Sequence, residues 1–185
     1  KQNMALNANQ VLTGKVRFSY AHVFEPKAAQ NGGDPKYSVT LLLPKSDKAT
    51  YGRIKAAIEA AKEAFRAKNP KGLPTNAKIA MHDGDGPMPN GGEYGPECAG
   101  CYVINASSKN PPTVIDEFKN EIMNRTELYS GCYGRAILSL YGYDTNGNKG
   151  IAFGLEAVQK LEDGEPLGGS RVSADDFDDL DDLLG

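Results

Sequence analysis

From Val11 to Phe24 the chain alternates: Leu12, Val16, Phe18, Tyr20 and Phe24 are apolar at even positions, and Thr13, Lys15, Arg17 and Ser19 are polar between them. This period of two, rich in β-branched and aromatic residues, predicts one long strand with one buried and one wet face. A turn-forming stretch from Pro26 to Pro35 leads into a second strand, Lys36 to Leu43, closed by Pro44. Two strands joined by a Gly-rich loop make a hairpin. The period then changes. Tyr51, Ile54, Ile58, Ala61 and Phe65 recur every three or four residues, with Lys55, Lys62, Glu63 and Arg66 on the wetter side. The pattern predicts an amphipathic helix over 47–68, capped by Ser46 or Asp47 and stopped by Asn69-Pro70-Lys71-Gly72. Such a helix is expected to pack on a sheet rather than to read DNA.

Residues 70–97, dense in Gly and Pro, read as irregular. Strands resume at Cys101–Ala106 and Thr113–Ile115. Leu128–Tyr143 and Gly150–Leu161 then flank Asp144–Lys149, whose Asn146-Gly147 is a strong hairpin signal. In the last strand Ile151, Phe153, Leu155 and Ala157 are expected to line the core. Five or six strands, one long helix and no βαβ alternation predict a mainly β protein, a small antiparallel barrel.

The segment 128–143 has two unlike faces. Its even positions, Ser130, Cys132, Gly134, Ala136, Leu138, Leu140 and Gly142, are small or aliphatic, as a barrel interior requires. Its odd positions include Tyr129, Tyr133, Arg135, Tyr141 and Tyr143. A tyrosine ring is a flat surface on which any base can stack, and an arginine can stack or pair with phosphate. The same tyrosines could simply cover the barrel beneath the helix. Taken as a set, with Lys15 and Arg17 on a polar strand face elsewhere, they favour nucleic acid. Lys36, Lys109 and Lys149 are further candidate phosphate contacts, the last from the hairpin loop.

Charge sharpens this picture once it is read by position. The 185 residues carry 21 Lys+Arg and 24 Asp+Glu, a net charge of −3. Residues 1–160 hold 20 basic and 15 acidic side chains (+5), and residues 161–185 hold one basic and nine acidic (−8). The length fits one domain over 11–163 followed by a linker and acidic tail over 164–185. The tail runs Asp175, Asp176, Phe177, Asp178, Asp179, Leu180, Asp181, Asp182, with Leu183 and Leu184 beyond. Mutual repulsion predicts disorder there. Apolar anchors set between aspartates suit docking into a basic, apolar groove on a partner. They also suit occupation of the protein's own basic groove in place of phosphate.

Together, Gly14-Lys15-Val16-Arg17-Phe18-Ser19-Tyr20, Lys36–Lys45, Gly131-Cys132-Tyr133-Gly134-Arg135-Ala136 and the aspartate-rich end carry a family resemblance. The chain resembles the phage single-stranded DNA-binding proteins with an OB-fold and an acidic C-terminal tail. The resemblance implies an OB-type barrel of five or six strands with the helix inserted after the second. It also implies sequence-tolerant binding of single-stranded DNA in phage replication or recombination, replication or recombination partners engaged by the tail, and a location in the cytoplasm of an infected host cell. The rival from another class is a virion scaffold protein with the tail as an assembly tether.

Other chemistry is sparse. Cys98-Ala99-Gly100-Cys101 has metal-ligand spacing, and His82 and Cys132 could complete a zinc site, although a single CxxC is weak evidence. Three cysteines argue against a disulfide framework and for an intracellular setting. No apolar run approaches the ~18–20 residues of a membrane span. With no P-loop, no GxSxG and only His22 and His82 as histidines, the expectation is a binding protein without a cofactor, not an enzyme.

Overall fold

The computed structural model describes residues 6–28 and 32–167. In chain order the elements are β1 (Gln10–Leu12), β2 (Val16–Lys27), β3 (Lys36–Pro44), α1 (Lys48–Lys68), β4 (Lys78–Ile79), β5 (Met81–Asp83), β6 (Cys101–Ser108), β7 (Thr113–Ile115), β8 (Tyr133–Thr145) and β9 (Asn148–Glu162). The five long strands close on themselves in the order β2–β3–β6–β9–β8 and back to β2. Every step is antiparallel except β6–β9, which is parallel. The β8–β9 hairpin produces this exception, because it returns β9 into the gap between β8 and β6. That arrangement is the five-stranded OB barrel.

The nine described strands exceed the expected five or six because four of them are two- or three-residue additions to the rim: β1 on β8, β4 and β7 on β9, and β5 on β6. Two lie inside or beside the stretch read as irregular, where runs of two or three residues are too short to show a period. Phe18, Leu41, Ile104, Leu138 and Phe153 are wholly buried in the barrel. Ile54, Ala57, Ile58 and Ala61 of α1 close the same core from outside. Asp47 caps the helix by accepting from Thr50 N at 3.0 Å.

Three boundaries depart from the sequence pattern. The expected strand 11–24 is broken at Gly14, whose N–H donates to Thr50 Oγ1 at 2.8 Å instead of to a neighbouring strand. Beyond the break, β2 carries a bulge between Ser19 and His22, with Tyr20 at φ +47°. The extra residue reverses the alternation, so Val23 rather than Tyr20 is the next wholly buried side chain. The platform strand begins at Tyr133, not Leu128, because residues 130–132 form a turn with Gly131 at φ +117°. A register shift between Ile137 and Leu138 passes the inward position on β9 from Ala157 to Val158. The hairpin turn is as predicted: Asn146 and Gly147 both have positive φ, +52° and +82°, as a type I′ turn demands.

Candidate nucleic-acid interface

Outside the barrel the polar members of β3 and β6 face solvent together. Ser38 pairs with Ser107 and Thr40 with Asn105, and Thr40 Oγ1 lies 3.0 Å from Asn105 Oδ1. Beside β6, the tip of the β8–β9 hairpin and the short strands β4 and β5 enclose a cleft of about 730 Å³. Lys36, Lys78, His82, Asn105, Ser107, Tyr141, Tyr143, Asn146 and Asn148 supply its polar lining, over an apolar floor of Ile79, Ala80, Ile151 and Ala152. Among the described residues, no Asp or Glu lines it. Lys78 Nζ meets only the amide oxygen of Asn148, at 3.4 Å, and Lys36 makes no ion pair among the described residues. Tyr141 is 49% exposed.

Close by, Lys45 Nζ sits 2.6 Å from Asp83 and 2.7 Å from Asp85. Hydrogen bonding to Lys45 holds both carboxyls below their ordinary range and raises the lysine. Asp85 also accepts from Gly100 N. This clamp ties the loop that follows β5 to the end of β3, while His82 is placed by its pairing with Val103 of β6.

The sequence candidates therefore separate into two places. Tyr141, Tyr143 and Lys36 meet in the cleft. Tyr129, Tyr133, Lys15 and Arg17 gather at the other end of β8, where the chain leaving β9 lies over them. Lys15 pairs with Glu162 at 2.7 Å. Arg17 donates to the carbonyls of Gly131 and Glu165 at 3.1 and 2.6 Å. Tyr133 lies under both cations, at 5.1 Å from Lys15 Nζ and 5.5 Å from Arg17 Cζ. Tyr129 Oη accepts from Gly164 N, and the Leu167 amide donates to Ser130 O. Residues 164–167, expected to begin the linker, are thus held as a strap. Arg135 donates to Gln159 Oε1 at 2.6 Å, and Gln159 in turn reaches Asp116 O. Lys109 and Lys149 stand apart from both groups, at 3.9 and 3.8 Å from Asp34 and Asp144.

The cleft contains residues that the sequence pattern did not single out as DNA contacts: Lys78, Asn105, Ser107 and Asn148, together with His82, read only as a possible zinc ligand, and Asn146, read only as a turn residue. Lys78 and His82 lie on strands too short to show a period. Asn105 and Ser107 did carry a signal, since they are the polar alternates of an otherwise apolar strand. The zinc arrangement is not assembled. Cys132 is wholly buried in the barrel, Cys98 is buried against Leu42 and Val103, and His82 lines the cleft. Among the described residues no three His, Cys, Asp or Glu side chains gather as ligands. Burial raises all three thiols, away from the thiolate a metal needs. No helix among the described residues is long and apolar enough to cross a membrane. The candidate tail residues Asp175–Asp182 lie outside the described residues.

Residues 9–184 match the family described as "Enterobacter phage Enc34, ssDNA-binding protein". The chain belongs to this family of phage single-stranded DNA-binding proteins. Among its relatives, protein p50 of Acyrthosiphon pisum secondary endosymbiont phage 1 is 32% identical over 179 residues, covering 92% of this chain and 94% of that protein. The single-stranded DNA-binding protein of bacteriophage Enc34, solved in complex with single-stranded DNA, superposes with a TM-score of 0.71 at 31% identity. That match covers 86% of this chain and 90% of the other. Single-stranded DNA-binding protein gp2.5 of bacteriophage T7 shares the fold, with a TM-score of 0.60 at 17% identity over 90% of this chain and 91% of that one.

Proposed function

We propose that this chain binds single-stranded DNA in the cleft between the β8–β9 hairpin and β4–β6, and does so in phage replication or recombination. One observation carries the reading. An open cleft with two tyrosines, two lysines, a histidine and, among the described residues, no acidic side chain sits where an OB barrel receives oligonucleotides, beside its second and third strands (here β3 and β6) and its last hairpin. Bases stack on Tyr141 and Tyr143, and phosphates are drawn to Lys36 and Lys78. The neutral amides and hydroxyls of Asn105, Ser107 and Asn148 tolerate any base. Binding then rests on counterion release plus stacking, with affinity falling as salt rises.

The paired cations have different parts. Arg135 holds a side-chain oxygen, Lys15 holds the end of β9, and Arg17, Tyr129 and Tyr133 hold the strap, so these residues shape the fold. The pairs of Lys109 and Lys149 are long and exposed, which leaves both cations available for steering the polyanion. Leu167 packs on Leu42, Cys98 and Val103, outside the barrel, on the strands that carry Thr40 and Asn105. The aspartate-rich segment begins eight residues later. It is suited to compete with DNA for the cleft and, once displaced, to dock on replication or recombination proteins.

Fluorescence-anisotropy titration with a dT oligonucleotide and a duplex of equal length, at ~100 mM salt, tests the reading. The single strand is expected to bind at least tenfold more tightly. Equal affinities would remove the stacking cleft, and no binding to either would leave the scaffold role. Deleting residues 168–185, which spares the strap, should tighten binding at low salt. Unchanged affinity would remove the self-competition and leave partner docking.

A further inference from the structure

The bulge in β2 places a large aromatic residue where the backbone disfavours one. Three non-glycine residues among those described have positive φ: Tyr20 at +47°, Lys119 at +68° and Asn146 at +52°. Asn146 belongs to a turn that requires it, and Lys119 to a tight loop. Tyr20 is different. The left-handed region is unfavourable for a bulky side chain, and a bulge of this kind ordinarily puts glycine there. Packing does not explain the choice, because Tyr20 is 69% exposed and its neighbour Ala21 is the one that turns to the core. A strained residue whose side chain stabilises no core points to work done at the surface.

The strands around it indicate what that work is. The pairs flanking the bulge, Ser19–Thr40 and His22–Ser38, continue across β3 to Asn105 and Ser107, which line the proposed DNA cleft. Between β2 and β6 there are two strand spacings, about 10 Å. The surface between them carries the small polar side chains Ser38, Thr40, Asn105 and Ser107. A flat ring at one end, the Tyr141 ring at the other and a low polar surface between them suit one oligonucleotide lying across the strands. OB folds occupy ~4–16 nucleotides each, so a path of this length is within range.

We infer that Tyr20 is a second base-stacking platform, which the bulge turns outward and which extends the DNA path from the cleft across β3 to β2. The inference rests on the proposed binding of single-stranded DNA. It adds a site on the opposite side of the β3–β6 surface, and the strain at Tyr20 is the cost of presenting the ring to solvent.

The chain has no tryptophan, so Tyr20→Trp introduces a single reporter. On titration with a dT oligonucleotide carrying an end label, emission from position 20 should be quenched in parallel with the rise in anisotropy of the label. Binding without quenching would overturn the role of Tyr20 while leaving the cleft intact. No binding by the unmodified protein would overturn both. The second variant, Tyr20→Asn, retains a residue that accepts the left-handed region. It should melt within ~2 °C of the parent or above it, and bind ~5- to 150-fold more weakly, the range for one lost stacked base. A fall of several degrees with unchanged affinity would make Tyr20 a structural residue and end the proposal.

Discussion

Asp47 joins two parts of the molecule through one carboxylate. It caps α1 by accepting from Thr50 N, and it also accepts from Thr50 Oγ1 at 2.6 Å. Thr50 Oγ1 in turn accepts from Gly14 N, at the break between β1 and β2. The Thr50 hydroxyl holds the Asp47 carboxyl below the usual carboxylate range. A lowered folded pKa means that the contribution is present above the unfolded value of ~3.9 and is lost as pH falls through the folded one. Asp47→Ala should cost about 1 kcal/mol in urea unfolding at pH 7. The gap between parent and variant should close as pH drops below ~4. At the same scale, Tyr141→Ala removes a half-exposed ring that supports no core. It should weaken dT binding by ~1–3 kcal/mol with the melting temperature within ~2 °C of the parent. Tyr141, Tyr143 and Lys36 were legible in the sequence. Tyr129 was grouped with them by parity, but it precedes β8, which begins at Tyr133, and lies at the strap instead.

At the scale of elements, the contact of α1 with β8 depends on a missing side chain. A Cβ on Gly142 would lie 2.8–2.9 Å from Phe65, so the glycine lets the helix sit directly on the strand. Gly142→Val is expected to cost ~1–3 kcal/mol by overpacking, read as a lower urea midpoint with an unchanged slope. The hairpin's turn and the helix were predicted nearly where they lie, because both carry strong local signals: Asn-Gly between alternating runs, and a 3–4-residue apolar stripe. The bulges were not legible. Both depend on how a strand pairs with its hairpin partner, which alternation along one strand does not show, and a one-residue insertion inverts every later side chain. The strap was hidden for another reason. Gly164 and Glu165 look like linker by composition, and only the folded barrel brings Arg17, Tyr129 and Tyr133 beneath them.

Across the whole molecule, the +5 body does not spread its charge evenly. Lys15, Lys45, Lys62, Arg66, Arg125 and Lys160 sit on carboxylates, whereas Lys36 and Lys78 face a cleft that no acidic side chain among the described residues lines. Net charge by segment was readable from the sequence, but which cations are already paired was not. Salt dependence separates the two groups. Each phosphate contact on a single strand contributes ~0.7 to the slope of log K against log salt. Lys78→Ala should make that slope shallower by about this amount, and Lys15→Ala should leave it nearly unchanged. In the proposed binding mode DNA lies in the cleft and not over the strap-covered end of β8. Photocrosslinking of the unmodified protein to an oligonucleotide bearing 5-iodouracil, with the labelled peptide identified by mass spectrometry, tests it most directly. Label is expected on Tyr141 or Tyr143. Label confined to Tyr129 and Tyr133 would contradict this binding mode.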